Sequence, residues 1–178
     1  MRLSELELRA ECVRIAELLA TRDQRIVFAE SCTAGLVASL LARVPGISRH
    51  LCGSAVVYRD DTKARWLGVS ERLLEEHGAV SEAVTVEMAL GALARTPEAN
   101  LAVAVTGHLG PDAPPEQDGK VFVAAAVRAG SNGEPVPAGT ACWRLEAADR
   151  QPRQCEAALH VLVFARKTLE GQHASETA

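Results

Sequence analysis

A run of five apolar residues, LAVAV at 101–105, constrains the fold of this chain more than any other feature. A strand with one face in water alternates apolar and polar side chains, whereas a continuously apolar strand is buried on both faces. We therefore predict that residues 101–105 form a buried strand. A sheet that contains such a strand needs helices on both sides, which is the arrangement of a layered α/β protein.

Helical and strand-like segments alternate along the rest of the chain. Leu8, Cys12, Ile15 and Leu19 follow one another at steps of four, three and four residues, so they share one face of a helix predicted over 3–22. Further strands are predicted at 25–29, 53–58, 121–127 and 140–145, and further helices at 35–44, from 60 to about 63, at 81–95 and at 149–170. Loops are predicted at 106–119 and 131–139, and a frayed tail over 171–178. This order predicts a single-domain layered α/β/α sandwich with a mixed sheet, spanning residues 1–178.

Charge and composition exclude several classes of function. The net charge is −4 and aromatic residues make up 3% of the chain, so we expect neither a positive face for nucleic-acid phosphates nor aromatic platforms for bases. No apolar run is long enough for a membrane span, and the N-terminus is amphipathic rather than a signal sequence. The five cysteines and five histidines lack metal-ligand spacing, which predicts a cytoplasmic protein with reduced thiols and with no metal or other cofactor.

The sequence ESCTAG, residues 30–35, stands between a predicted strand and a predicted helix. A nucleophile at this junction lies beneath free backbone N–H groups and the positive end of the helix dipole, which together can stabilise an oxyanion. Ser31 is therefore a candidate nucleophile for acyl transfer. Serine and threonine are also common helix caps, and spacing alone favours a capping role for Ser31 or Thr33.

The sequence YRDDTK, residues 58–63, contains a candidate base for that serine. A lysine can accept a proton when burial or a neighbouring positive charge favours its neutral amine. Lys63 is this candidate, and Tyr58 is placed to relay a proton or to orient the amine. In isolation, a solvated Lys63 paired with Asp60 or Asp61 fits the same residues better.

Two further segments suit ligand binding. TGHLGP, residues 106–111, follows the apolar strand, at the strand end where α/β proteins bind ligands. Any tight turn would use the same glycines, and His108 also fits a surface or packing role. Asp149, Arg150 and Arg153 begin the last helix, and arginine suits bidentate binding of phosphate. An N-cap at Asp149 followed by a solvated Arg150 is the simpler alternative.

Together and in this order, these motifs resemble the C-terminal domain of CinA proteins. The segments that carry the resemblance are AESCTAGL (29–36), VPGISRHLCGSAVVYRDDTKARWLGV (44–69), HGAVSEAV (77–84), AVTGHLGP (104–111), GKVFVA (119–124) and ADR (148–150). They extend over about residues 5–170, which is nearly the whole sequence. The larger CinA proteins have an additional N-terminal domain, whereas we expect this chain to have the deamidase-type domain alone.

The resemblance implies a metal-free amidohydrolase that converts nicotinamide mononucleotide and water to nicotinic acid mononucleotide and ammonia. Carried over position by position, Ser31 is the nucleophile, Lys63 the general base and Tyr58 its helper. The residues implied in substrate binding are Thr33, Gly35, Thr106, Gly107, Gly110 and Arg150, the last of them near the phosphate. The implied partner is a small nucleotide, and a homo-oligomer is compatible with the sequence.

The sequence also departs from the family pattern around the binding loop. Ala34 stands where the family commonly has a second glycine, and DAPP at 112–115 replaces a glycine run. His108 and Leu109 stand inside the strand-end motif, and Gln154 stands where a second arginine is expected. Two interpretations follow: an active enzyme with changed specificity, or a non-catalytic nucleotide-binding or regulatory paralogue on the same fold.

Overall fold

A computed structural model of the chain describes residues 5–129 and 132–176. The helices in chain order are α1 (Glu5–Thr21), α2 (Leu36–Leu41), α3 (Asp60–Thr62), α4 (Glu71–His77), α5 (Glu82–Ala94) and α6 (Arg150–Glu176), with a 3-10 turn at Ile47–Arg49 and a π-helical turn at Lys63–Leu67. The strands are β1 (Ile26–Glu30), β2 (Leu51–Val56), β3 (Leu101–Gly107), β4 (Lys120–Ala129) and β5 (Glu134–Arg144).

The described strands form one mixed sheet in the order β2-β1-β3-β4-β5. The strand β1 runs parallel to both β2 and β3, whereas β4 pairs with β3 and β5 in antiparallel fashion. The carboxyl ends of β1, β2 and β3 therefore meet at one edge of the sheet. In α/β proteins this edge is where ligands bind, so the topology already indicates where a site belongs.

Helices cover both faces of the sheet, as the apolar run at 101–105 predicts. Leu101, Val103 and Val105 point to one face, where they pack in a buried cluster with residues of α1, α2 and α6. Ala102 and Ala104 point to the other face, against residues of α5. All five side chains are fully buried. The predicted α/β/α sandwich with a mixed sheet is thus confirmed.

The predicted loop at 131–139 is wrong over 134–139, because β5 begins at Glu134, whereas residues 132 and 133 form a turn as expected. Pro135 and Pro137 favoured a loop in the sequence, since proline cannot donate a hydrogen bond to a neighbouring strand. The strand β5 lies at the edge of the sheet, where the missing donor can face solvent. Its pairing with β4 shifts register between Ala125 and Ala126, next to Pro137.

Several element boundaries also differ from the predicted ones. The helix α2 ends at Leu41 rather than at 44, and β2 covers 51–56 rather than 53–58. Helix α4 was not predicted. Helix α6 extends to Glu176, beyond the predicted end at 170, and residues 177 and 178 of the predicted frayed tail lie outside the described residues. In the part of the chain that the structure describes, no helix is both long and apolar enough to cross a membrane.

Candidate active site

A pocket of about 290 Å³ opens at the carboxyl edge of the parallel strands. It brings together seven of the nine site residues that the sequence suggested: Ser31, Tyr58, Lys63, Thr106, Gly107, Gly110 and Arg150. Ser31 follows β1, Tyr58 follows β2, and Thr106 and Gly107 end β3. The parallel strands are therefore the reason why residues far apart in the sequence share one pocket. His108 and Asp112, from the loop after β3, also line its wall.

The turn that carries Ser31 is held by the carboxylate of Glu30, which is fully buried. One carboxylate oxygen, Oε2, accepts from the Thr33 hydroxyl at 2.8 Å and from the backbone N–H groups of Gly35 and Val37 at 2.9 and 3.1 Å. The other oxygen, Oε1, accepts from the N–H of Ala38 at 3.1 Å and from the Ser54 hydroxyl at 3.0 Å. Glu30 thus caps α2, a role that the sequence analysis considered for Ser31 and Thr33.

Neither of those two residues caps α2. The N-cap position is Gly35, which has no capping side chain. Thr33 is buried, and its hydroxyl donates a hydrogen bond to Glu30. The Ser31 hydroxyl makes no hydrogen bond within the described residues, and it faces the pocket. The interpretation of Ser31 as a helix cap is therefore wrong.

Thr33 and Gly35 do not line the pocket. Both lie beneath it, where they donate to Glu30 and so shape the turn. Direct contact between these two residues and a substrate stays a prediction. Their observed partner is the carboxylate that fixes the position of Ser31.

Two backbone N–H groups follow Ser31 in the turn, those of Cys32 and Thr33. Among the described residues they have no oxygen acceptor and contact the Cys32 sulfur, whereas the N–H groups of Ser31 and Ala34 bind the carbonyls of Val105 and Ser31. Backbone N–H groups next to a nucleophile are the kind of donor that an oxyanion needs.

Cys32 is the neighbouring residue that could compete as a nucleophile. Burial raises the pKa of its thiol to about 12, so the thiol stays protonated at neutral pH. Since the thiolate is the reactive form of cysteine, Cys32 is inert under these conditions. Ser31 remains the candidate nucleophile of this turn.

Lys63 is almost completely buried, with 1% of its surface exposed. It begins the π-helical turn that follows α3, a distortion that often occurs at functional sites. Its amine donates to Asp60 Oδ1 at 3.1 Å, and both residues line the pocket. The sequence alternative of a solvated lysine paired with Asp60 is therefore half right: the pair exists, but the lysine faces the pocket rather than bulk water.

Arg150 connects α6 to two other parts of the pocket. Its guanidinium donates to the carbonyl of Gly110 at 2.7 Å and also to the hydroxyl of Tyr58. Tyr58 is half exposed, so this contact lies at the pocket mouth. The arginine keeps the phenol hydroxyl and the loop after β3 in place, and its cationic group remains accessible to an anionic ligand.

The base of the pocket under β3 is closely packed. The Thr106 hydroxyl donates to the carbonyl of Ala79 at 3.0 Å, which ties β3 to the segment before α5. A Cβ atom at Gly107 would lie 2.7 Å from Val121 Cγ2 and 2.9 Å from the carbonyl of Lys120. Any larger residue at Gly107 would therefore force β3 and β4 apart at the pocket.

The loop after β3 is fixed by two arginines that do not line the pocket. Arg153 forms a bidentate ion pair with Asp118, with N–O distances of 2.6 and 2.8 Å. This pairing lowers the pKa of the Asp118 carboxyl. Arg144 donates to the carbonyls of Glu116 and Asp118. The loop that replaces the family's glycine run is thus a well-anchored segment, and Arg153 is not free to bind a phosphate.

Gln154, at the position where an arginine was expected, contacts the nucleophile turn. Its side-chain amide donates to the carbonyl of Thr33 at 2.9 Å and to that of Cys32 at 3.5 Å. The sequence suggested a lost phosphate ligand at Gln154 and no role for Glu30. The contact of Gln154 with the turn joins segments that are far apart in the sequence, and the contacts of Glu30 form only when the turn has folded. No spacing pattern could therefore reveal them.

Within residues 5–129 and 132–176, no three His, Cys, Asp or Glu side chains are grouped as ligands for a metal ion.

The comparisons with known proteins agree with this architecture. A family model described as the CinA C-terminal domain matches residues 9–169. A relative from Symbiobacterium thermophilum is 44% identical over 160 residues, which are 88% of this chain and 37% of the relative. A CinA-like protein from Mycolicibacterium paratuberculosis is 42% identical over 150 residues, which are 83% of this chain and 34% of that protein. The chain therefore spans about a third of the length of the curated relatives it matches.

Solved structures of similar proteins match over almost their full length. A CinA superfamily protein from Klebsiella pneumoniae has a TM-score of 0.82 at 27% identity, with 92% of this chain and 98% of that chain covered. A competence/damage inducible protein from Agrobacterium tumefaciens has a TM-score of 0.78 at 32% identity, with 98% of each chain covered. Since the family model and these structures both extend over nearly all of its sequence, the chain belongs to the CinA C-terminal domain family.

Proposed function

We propose that this protein is an amidohydrolase that cleaves the carboxamide of nicotinamide mononucleotide, giving nicotinic acid mononucleotide and ammonia. The observation that carries the proposal is that the Ser31 hydroxyl, which makes no hydrogen bond among the described residues, shares a pocket with the buried amine of Lys63. A serine and a lysine of this kind are the minimum for nucleophilic attack on an amide without a metal.

In the first half of the reaction, Ser31 Oγ attacks the carboxamide carbon and the neutral amine of Lys63 accepts the hydroxyl proton. The negative charge that develops on the carboxamide oxygen is stabilised by backbone N–H groups of the turn, of which that of Cys32 belongs to a residue that lines the pocket. Lys63 then gives its proton to the leaving nitrogen, so ammonia departs and an ester remains on Ser31. The hydroxyl of Tyr58, fixed by Arg150, orients the reacting groups at the mouth of the pocket.

In the second half, a water molecule takes the place of ammonia. Lys63 accepts a proton from this water, which attacks the ester carbon and forms a second oxyanion at the same donors. Collapse of that intermediate breaks the bond to Ser31, and Lys63 returns the proton to the serine oxygen. The net reaction consumes one water molecule, and the enzyme is unchanged.

Substrate binding in this proposal uses the opposite side of the pocket. Arg150 is the cation for the phosphate, since Lys63 is buried and paired with Asp60. Gly107 and Gly110 line the pocket, and the ring and ribose lie against their backbone. Asp112 also faces the pocket and adds a negative charge there, which weakens binding of an anionic ligand.

The first test is release of ammonia from nicotinamide mononucleotide by the purified protein and by Ser31→Ala. The alanine variant lacks the covalent route, so we expect its turnover to fall by at least about 1000-fold while the ligand still binds. Ser39→Ala, which changes an exposed serine in α2, is the matched control and retains full activity. Near wild-type turnover by Ser31→Ala would rule out the serine mechanism.

Lys63→Arg tests the base. Arginine keeps the positive charge but stays protonated near neutral pH, so it cannot accept the serine proton. We expect almost no turnover in this variant, whereas Lys167→Arg, an exposed lysine in α6, behaves as wild type. If the wild-type protein binds the mononucleotide but releases no ammonia, the non-catalytic nucleotide-binding alternative replaces this proposal.

A further inference from the structure

The buried carboxylate of Glu30 stands out because it has no cationic partner among the described residues. A buried charge is costly unless hydrogen bonds compensate it. Here the compensation consists of the five donors described above, three backbone N–H groups and two hydroxyls. Such an arrangement is more than a helix cap needs, since one side-chain oxygen usually satisfies a cap.

All but one of these donors belong to the segment that follows Ser31. They lie at Thr33, Gly35, Val37 and Ala38, so a single carboxylate fixes the turn and the first turn of α2 at once. The fifth donor, the Ser54 hydroxyl on β2, ties the same carboxylate to the neighbouring strand. The position of the turn relative to the sheet therefore depends on Glu30.

Ser31 itself has only backbone anchors. Its N–H binds the carbonyl of Val105, and its own carbonyl accepts from Ala34. The side chain makes no hydrogen bond within the described residues, so the backbone path and the χ1 rotamer set where its oxygen lies. A displacement of the turn would move the nucleophile directly.

We propose that Glu30 is a positioning residue for the nucleophile, acting through the turn that its carboxylate holds. This inference rests on the proposed function for its reaction, but the placement of Ser31 can also be measured without that reaction. Glu30 does not line the pocket, so it does not contact the substrate. Its effect is on the reactivity of the Ser31 oxygen rather than on binding.

Glu30→Gln is the informative substitution because it conserves size and shape. A glutamine has a single acceptor oxygen, and its NH₂ group faces two or three donors that then have no acceptor. The turn must move to relieve this conflict. Displacement of a catalytic group by about 1 Å can cost about 100-fold in rate. We therefore expect kcat to fall by about 100-fold, with KM changed by less than about threefold.

Glu30→Asp and Glu11→Gln complete the set. Aspartate keeps the negative charge but is one methylene shorter, so it rescues part of the lost kcat. Glu11 is another buried glutamate, paired with Arg166 at 2.7 Å on the α1–α6 side of the molecule. A general effect of losing a buried carboxylate would appear in Glu11→Gln as well, whereas a positioning effect leaves the kcat of this control unchanged.

A second readout is the rate at which a fluorophosphonate labels Ser31. The serine oxygen bonds to phosphorus, fluoride leaves, and the hydroxyl proton passes to the base, so no amide substrate is involved. Labelling per folded molecule falls in Glu30→Gln in parallel with kcat. If the wild-type protein is labelled but releases no ammonia from the mononucleotide, the proposed function fails while the role of Glu30 is still decided by these labelling rates.

A folded Glu30→Gln variant with wild-type kcat and labelling rate overturns the proposal, and so does a loss confined to thermal stability. Should that variant fail to fold, Ser54→Ala decides, since it removes one donor to Oε1 from outside the turn. A several-fold slower labelling of Ser31 in this variant supports the proposal. An unchanged rate refutes it.

Discussion

Ala34 adopts a left-handed backbone conformation, with φ of 52°. A residue with a Cβ atom is strained in this region by roughly 1–2 kcal/mol, whereas glycine is not. Glycine, however, costs about 0.4–1 kcal/mol in additional entropy of the unfolded chain. The side chain of Ala34 is exposed, so its removal loses no buried packing. We predict that Ala34→Gly raises the free energy of unfolding by roughly 0.5–1 kcal/mol.

The assay is urea denaturation followed by far-ultraviolet circular dichroism. The midpoint should rise while the slope of the unfolding free energy against urea stays constant, because both proteins expose the same surface on unfolding. Ala10→Gly is the matched control, since Ala10 is exposed in the middle of α1. There glycine removes helix propensity without relieving strain, so it lowers stability by about 1 kcal/mol.

The two substitutions are chemically identical but have opposite expected signs. A decrease in stability for Ala34→Gly similar to that for Ala10→Gly would refute the strain argument. It would mean that the turn after Ser31 accommodates the Cβ atom at no cost, and that the alanine in place of the family's glycine has no effect on the backbone.

The remaining predictions concern the thiols and the loop after β3. Iodoacetamide at neutral pH should alkylate the exposed Cys142 and spare Cys32 of the native protein, because burial keeps the Cys32 thiol protonated. Rapid modification of Cys32 in peptide mass spectrometry would contradict this. The Asp118 ion pair lowers the pKa of that carboxyl, so its stabilising effect is fully present above an ordinary aspartate pKa of about 3.9 and declines as the pH falls through the lowered value. The difference in melting temperature between wild type and Asp118→Asn should accordingly shrink in acid, and a constant difference would argue against the pair. Replacing residues 112–115 with glycines removes the charge of Asp112 from the pocket wall, and should tighten binding of nicotinamide mononucleotide more than of nicotinamide riboside; an unchanged affinity ratio in calorimetric titrations would exclude a role of this loop in phosphate recognition.

The layers of the fold follow from short-range patterns in the sequence. The apolar run at 101–105 requires cover on both faces, and the spacing of Leu8, Cys12, Ile15 and Leu19 requires a helix whose one side is buried. Both features depend on neighbours within a few residues, which is why they could be predicted. The strand β5 could not, because the tolerance of an edge strand for Pro135 depends on which strand lies at the edge.

The pocket residues were suggested by motifs, but their partners were not. Motifs show that Ser31 and Arg150 stand near a strand end and a helix start, and the parallel strands then bring both to one pocket. The contacts of Arg153 with Asp118 and of Gln154 with Thr33 join residues 35 and 121 positions apart. Such pairings depend on how α6 lies on the sheet, so no local pattern contains them.

The first two turns of α6 connect three separate parts of the site. Arg150 binds the hydroxyl of Tyr58 and the carbonyl of Gly110, Arg153 binds the loop after β3, and Gln154 binds the nucleophile turn. Two of these three side chains, those of Arg153 and Gln154, therefore hold the pocket together without lining it. Among the described residues that line it, Arg150 is the only cation apart from the buried Lys63. In the proposed reaction, recognition of the substrate's phosphate therefore depends on Arg150, and a ligand that binds this arginine competes with the tyrosine and the loop that it now holds.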